Sequence, residues 1–393
     1  MSVIRVGFVL GQVGWIGGIN YFRNLFAAIQ TLHDEKIQPV VLTGMKSDVS
    51  AFEGLAEIVR TPILDRKTLQ WWFSTFFSRF FLKRDFAFYF FLRKNKINLI
   101  SHSSPLWKGC SIPSIGWIPD FQHVHLPQFF SKKECTARDR EFADVMNMSS
   151  AVILSSEDAL KDLTEFKKNN KTSTYILRFV SLLHPKPSEL PSRKELMEKY
   201  KLNRPWFHIP NQFWAHKNHK VVVEALHLLK EQGNCPLVIA TGSTTDYRNP
   251  EYFPSLMKLV SDYGLHDDFR AVGMLPYADV VGLMRYSLAV INPSLFEGWS
   301  TSVEESKSLG KIIILSDIAV HREQSPVQSY YFDANDYVGL ANYLKIFSKD
   351  CDESLDTLRQ DNAEFDRIAN GIAFAKQYEM IVLQVMGANG GHA

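Results

Sequence analysis

Cysteine is scarce and scattered in this sequence: four residues in 393, at Cys110, Cys135, Cys235 and Cys351, with no C-x-x-C pair. That spacing argues against a disulfide framework and against a cysteine zinc site, and fits reduced thiols in a cytoplasmic protein. Net charge is nearly absent too, with 44 basic against 42 acidic side chains. No overall field draws the chain to nucleic acid, so any basic function is local. No uncharged stretch nears the ~20 apolar residues that span a bilayer. The apolar start, Val6 to Gly18, is broken by Gly11, Gly14, Gly17 and Gly18 and has no small-residue cleavage pattern. It reads as a strand entering a glycine loop rather than a leader. That loop also lacks the G-x-G-x-x-G spacing of dinucleotide sites. His216 and His219 are three apart, but no further ligand is near, so a metal site there is a poor reading.

What is present is the grammar of a parallel α/β protein, in a composition 46% hydrophobic and 22% charged. Val3–Leu10 is an apolar run, Ile19–Leu32 has helical spacing in Phe22, Leu25, Phe26 and Ile29, and Pro39–Leu42 is the next run. Ile97–Ser101, Ile115–Ile118 and Ala151–Leu154 are predicted strands, and Glu157–Phe166 a helix capped by Ser156. Pro185, Pro187 and Pro191 stiffen a connector. The rhythm then restarts, with strands at Trp206–Ile209, Leu237–Thr241, Phe269–Val272, Leu288–Asn292 and Ile312–Ser316. Helices over Asn218–Gln232, Pro254–Tyr263, Ala278–Tyr286 and Ser302–Leu309 alternate with them. The expected fold is α/β, with two doubly wound, Rossmann-like domains over residues 1–184 and 185–365, facing across a cleft. A helix over about 366–386 is expected to pack back on the first domain, ahead of a frayed Gly-Ala-Asn-Gly-Gly tail.

The segment Asn292-Pro-Ser-Leu-Phe-Glu-Gly-Trp-Ser-Thr-Ser-Val-Glu-Glu-Ser-Lys-Ser-Leu-Gly310 carries the chemistry. A strand ends at Asn292, a loop holds Glu297 and Gly298, and a helix starting near Thr301–Ser302 holds Glu305. A helix N-terminus offers unpaired N–H groups and a favourable dipole to phosphate. Carboxylates on either side suit hydroxyl-rich groups, a sugar and a ribose. The segment resembles the E-x7-E motif of retaining glycosyltransferases of the GT-B fold, family four (glycosyl transferases group 1). The resemblance is dense over about residues 205 to 325, including Val272-Gly273 and Ser316-Asp317, and thin before residue 115.

The resemblance implies a site. Glu297 would meet the donor sugar's hydroxyls, Gly298, Trp299, Ser300, Thr301 and Ser302 would offer amides to diphosphate and sugar, and Glu305 would bind the ribose. Lys217, in Pro210-Asn-Gln-Phe-Trp-Ala-His-Lys-Asn-His219, would be a cation on the leaving diphosphate. The family usually has an arginine where this chain has Asn211, leaving open which second group neutralises phosphate; His216 and Gln212 are the candidates. Asp120 in Trp117-Ile-Pro-Asp-Phe-Gln-His123 aligns with an acidic position beside donor and acceptor, and His123 with a contact to the reacting sugar. A turn residue and a structural histidine are the competing readings. Gly17 and Gly18 would let a helix N-terminus approach the donor phosphate, and Asn20 or Trp15 would face the acceptor. Gly273 would join the donor site. The implied reaction is retaining transfer from a nucleoside-diphosphate sugar to a hydroxyl, without metal or other cofactor. The leaving phosphate would accept the acceptor's proton, in a bacterial surface-polysaccharide or lipopolysaccharide setting.

One further stretch stands out. Trp71-Trp72-Phe73, Phe76-Phe77, Phe80-Phe81 and Phe86 to Phe91 are interleaved with Arg66, Lys67, Arg79, Lys83, Arg84, Arg93, Lys94 and Lys96. Residues 66–96 fit either an interfacial helix on an anionic membrane or a pair of buried helices packed on the first sheet. The rival functions are a GT-B sugar-nucleotide epimerase, a glycoside hydrolase using Glu297 and Glu305, and a membrane-docked partner protein with a degenerate site. A hydrolase needs carboxyls facing across a bond rather than phosphate-binding amides between them.

Overall fold

The computed structural model describes residues 3–10, 16–34, 36–65, 68–72, 84–183, 185, 189–349 and 353–390. Gly11, Gly14, Trp15, and residues 66–67 and 73–83 of the aromatic–basic stretch lie outside them. The chain forms two units: Met1–Phe121 with Lys133–Leu183 and Ala369–Ala393, and Gln122–Lys132 with His184–Ile368. Residues 122–132, expected in the first domain, therefore cluster with the second.

The first unit holds seven parallel strands, β1 (Ile4–Val9), β2 (Ile37–Thr43), β3 (Glu57–Arg60), β4 (Leu99–Ser101), β5 (Ser114–Ile118), β6 (Ala151–Leu154) and β7 (Ser173–Ile176). Their order is β3-β2-β1-β4-β5-β6-β7. The second holds β8 (Trp206–Ile209), β9 (Leu237–Thr241), β10 (Phe269–Gly273), β11 (Val290–Asn292), β12 (Ile313–Ser316) and β13 (Ser329–Phe332). They are parallel in the order β10-β9-β8-β11-β12-β13. Parallel sheets are covered on both faces, so their central strands are apolar throughout rather than alternating. Every residue of β8, β9 and β12 is buried accordingly.

Some local expectations change. The first helix spans Ile16–Gln30, so Gly17 and Gly18 lie in its first turn rather than in a loop. The helix Lys132–Met148 and the strands β3, β7 and β13 were not anticipated. The last helix, Glu353–Gly390, continues through Gly387 to Gly390 instead of fraying. From Ala369 onward it belongs to the first unit. Tyr378 is fully buried there, Gln377 Nε2 donates to the Ile176 carbonyl at 2.7 Å, and Glu379 pairs with Lys36 at 3.2 Å.

The aromatic stretch divides. Asp85 caps the helix Phe86–Lys94 by accepting from the Phe88 N–H at 3.0 Å. That helix sends Phe88 and Leu92 into a core with Val40, Leu42, Ile97 and Ile100. Phe90, Leu69 and Trp72 are exposed. Among the described residues no helix is long and apolar enough to cross a membrane.

Candidate functional site

In the second sheet the chain direction of growth reverses between β8 and β11, and the loops leaving their carboxyl ends diverge there. Such a switch point is where open α/β sheets hold ligands. The loop after β8 ends in a single helical turn, Ala215–Lys217. Asn218 follows in the left-handed region at φ 56°, which asparagine tolerates better than most residues. Its amide donates to the carbonyls of Pro293 at 3.2 Å and Ala334 at 2.8 Å, and Leu295 N–H donates to the His216 carbonyl at 2.8 Å. The two loops are thereby stitched together, and Lys217 Nζ meets Glu297 Oε1 at 2.5 Å. The Ser294 hydroxyl donates to the same carboxylate oxygen at 2.7 Å. Burial pushes the Glu297 carboxyl upward, but the Lys217 ammonium outweighs it and brings it down to about 2. It is a carboxylate at any physiological pH.

The helix Thr301–Ser308 begins beside this pair, with Ser300 at its cap and no side-chain capping bond. Buried Asn292 organises the start, donating to Ser300 Oγ at 2.8 Å and Ser302 Oγ at 3.2 Å. Ser302 Oγ in turn donates to Asn211 Oδ1 at 3.1 Å, while Asn211 Nδ2 is buried without a hydrogen-bond partner. Gln324 holds Ser300 from the other side. Its Oε1 accepts the Ser300 N–H at 3.2 Å and its Nε2 donates to the Ser300 carbonyl at 3.0 Å. This corrects the expectation for Ser300, whose amide is already engaged. The amides of Thr301, Ser302 and Val303 belong to the first turn, which has no intrahelical acceptors. Gly298 and Trp299 lead into it, half-buried.

Two adjacent glutamates on this helix have different surroundings. Glu304 is buried against Gln324 Nε2 at 2.9 Å and Lys307 Nζ at 3.1 Å, a packing role. Glu305 accepts from the Tyr277 hydroxyl at 3.0 Å, and burial pushes it up to about 7 despite that bond. Protonated, it keeps a carbonyl acceptor and gains an O–H donor; ionised, both of its oxygens accept.

The histidines do not supply the missing positive charge. Burial first, then Lys217, holds both His216 and His219 down to about 3, and His219 stacks on Phe213 with ring centroids 4.4 Å apart. His216 is therefore neutral and is not the second cation. Gly242, at φ 139°, lies where an added Cβ would be 2.6 Å from the Asn211 carbonyl oxygen, so only glycine lets the β9 loop close on Asn211 and Gln212. Gly273, at φ 74°, ends β10, and its carbonyl accepts the Gly242 N–H at 2.9 Å.

The second unit thus gathers Asn211, Gln212, Lys217, Glu297, Gly298 to Ser302 and Glu305 on the loops and helix at one end of its sheet. Gly17, Gly18 and Asp120 belong to the first unit, where Asp120 is ion-paired with Arg138 at 2.7 Å. His123, in the second unit, is buried and edge-on to Phe130 at 6.2 Å. Sequence reasoning gave no role to Tyr277, Asn292, Ser294, His321 or Gln324. Asn292 and Ser294 lie within the quoted segment itself, whereas Tyr277, His321 and Gln324 come from other helices.

Residues 192–362 match the family model described as glycosyl transferases group 1. No curated protein matches the sequence. Among solved structures, a glycosyltransferase from Rickettsia africae ESF-5 aligns at TM-score 0.68 and 14% identity over 100% of both chains. Sucrose-phosphate synthase from Thermosynechococcus elongatus aligns at TM-score 0.68 and 14% identity, over 98% of this chain and 100% of its own. Anabaena HepE in complex with UDP-glucose aligns at TM-score 0.62 and 16% identity, over 99% and 100%. The fold is GT-B, built of two Rossmann-like parallel α/β domains, and residues 192–362 of its second unit are similar to the glycosyl transferases group 1 model.

Proposed function

We propose that the protein is a retaining glycosyltransferase of family four that moves a sugar, a hexose in the first instance, from a nucleoside-diphosphate donor to a hydroxyl of a glycan or lipid-linked acceptor. The observation that carries this is the buried Lys217–Glu297 pair, 2.5 Å apart, beside the open first turn of the Thr301–Ser308 helix. A nucleotide-sugar donor is further supported by structural neighbours, HepE with UDP-glucose and an Escherichia coli trehalose-6-phosphate protein with UDP-2-fluoro glucose.

The diphosphate lies against the amides of Thr301, Ser302 and Val303, and Lys217 exchanges its carboxylate partner for a phosphate oxygen. Glu297, released from Lys217 but still bonded to Ser294, accepts the sugar's hydroxyls. Glu305 accepts a ribose hydroxyl. Charge growing on the leaving diphosphate in the transition state meets dipoles and a cation fixed beforehand, which is where most of the rate enhancement arises. The acceptor attacks from the face the phosphate leaves, and the phosphate takes its proton. Lys217 does the electrostatic work of a metal, so transfer survives chelation. The setting is bacterial surface-polysaccharide or lipopolysaccharide synthesis in the cytoplasm. Peripheral contact with the inner membrane face runs through residues 66–96, an idea supported by exposed Leu69, Trp72 and Phe90 and absent if liposomes fail to co-float with the protein.

The test is a thermal-shift panel of UDP, ADP and GDP sugars on the full chain, followed by transfer and NMR of the product. One donor raises Tm and gives a product with the donor's anomeric configuration. No shift with any donor overturns the reading, donor conversion without acceptor turns it into an epimerase, and an inverted product removes the retaining mechanism.

A further inference from the structure

We infer that Arg248 is the second cation of the diphosphate site, supplying from the β9 loop the charge that Asn211 leaves out. The inference rests on the proposed donor reading and extends it to a residue in no motif. Lys217 is matched one to one by Glu297. The buried imidazoles beside it are neutral. Cations on the neighbouring elements are also matched: Lys307 by Glu304 at 3.1 Å, Arg322 by Asp317 at 2.6 Å, and Lys311 by Asp356 at 2.7 Å. A diphosphate therefore meets one available charge from these groups, and only if Lys217 gives up its partner.

Arg248 differs. Among the described residues its guanidinium pairs with no carboxylate. Its Cζ lies over the rings of Phe130 and Trp214, 4.4 Å from each centroid, and 5.5 Å from that of Tyr247. One nitrogen donates to Gln122 Oε1 at 3.2 Å. These aromatic contacts steady the guanidinium and leave N–H donors along its edge for an acceptor. A planar fork held this way suits a phosphate, which it can bind through two parallel hydrogen bonds.

The same loop is tied to the turn that carries Lys217. Buried Asp246 accepts the Arg248 N–H at 3.0 Å with one oxygen and the Ala215 N–H at 3.1 Å with the other. The acid nearest in sequence is thus spent on backbone, not on the guanidinium. Arg248 is also close enough to depress the protonation of His216, the residue before Lys217. At the start of the Thr301–Ser308 helix, Asn211 accepts from Ser302 Oγ at 3.1 Å and its buried Nδ2 has no partner. A cation from the β9 loop thus stands in for the arginine absent at Asn211, in the loop after β8.

Arg248→Met keeps an apolar stem against these rings and removes the charge, and Arg248→Lys keeps the charge without the planar fork. The readout is calorimetric affinity of the full chain for whichever of UDP, ADP and GDP binds wild type most tightly, beside its parent nucleoside, with Lys217→Ala in parallel. Arg248→Met is expected to weaken the diphosphate about 10- to 100-fold, as for a lost hydrogen bond between charged groups, and to leave the nucleoside within about twofold. Arg248→Lys falls between. If Lys217→Ala weakens the diphosphate while both Arg248 variants bind within about twofold of wild type, the inference is overturned and the donor reading stands. Unchanged donor affinity with slower transfer moves Arg248 to the acceptor and overturns it equally. No binding by wild type, or none lost in Lys217→Ala, takes down the donor reading and this inference with it.

Discussion

The two units wind their sheets in the same order, yet their switch points are furnished differently. In the first, the ends of β1 and β4 are packed with rings. Tyr21 stacks on Trp117 at 4.8 Å, and its hydroxyl is 2.8 Å from Nε2 of His102, whose Nδ1 is 2.9 Å from Ser101 Oγ. Burial holds His102 down to about 3, so this cluster is uncharged. In the second, the ends of β8 and β11 hold a buried ion pair, a helix start and a network of amides and hydroxyls. One backbone plan therefore supports a packed aromatic centre in one case and an electrostatic one in the other. Chemistry resides in the loops, not in the sheet.

The sharpest way to break this contrast is to remove the charge at the second switch point. Lys217→Ala should slow transfer by about 100- to 1000-fold, the effect of deleting one transition-state donor. It should also cost stability, because Glu297 is left buried and unmatched, about 3–5 kcal/mol for a broken buried pair. Lys217→Ala/Glu297→Gln should recover much of the lost stability in denaturant melts but none of the activity. A double variant with wild-type turnover would place the chemistry elsewhere.

A smaller effect concerns Glu305. Its carboxyl is raised from 4.5 to about 7, so the folded chain keeps a proton that the unfolded chain has already lost. The stability penalty is absent below about 4.5, grows as pH rises, and is complete above about 7. The carboxylate accepts a ribose hydroxyl more strongly than the neutral acid does, so nucleotide affinity should rise with pH, by at most about tenfold per unit, and level off above pH ~7. Glu305→Gln should flatten that profile, whereas Glu304→Gln, whose acid is committed to Gln324 and Lys307, should not. Matching profiles for both variants would remove Glu305 from the ribose. The smallest change is expected in the first unit. Tyr21→Phe should cost about 1–2 kcal/mol of stability through the unbonded His102 and leave turnover within about threefold. A larger loss of turnover would make the aromatic cluster part of the chemistry and erase the contrast.

The central strands were legible because burial on both faces makes them unbroken apolar runs, as in Leu237–Thr241. The three strands that escaped notice, Glu57–Arg60, Ser173–Ile176 and Ser329–Phe332, are all sheet edges, partly exposed and partly polar. The helix Lys132–Met148 escaped for a related reason, since it buries only Phe142, Val145 and Met146 along 17 residues. At the site, the resemblance pointed to Lys217, Glu297 and Glu305, because its motif residues cluster in two short segments. It could not indicate Gln324, Tyr277 or Arg248, whose contacts with those segments are made by the fold and leave no local pattern. Nor could it foresee that the Ser300 amide is taken.

That last bond has a thermodynamic consequence. Because the Gln324 side chain clasps Ser300 at both its N–H and its carbonyl, the loop entering the Thr301–Ser308 helix is already fixed, as if paired with a neighbouring strand. An incoming anion need not freeze that loop, so the entropic penalty of ordering it has been met during folding.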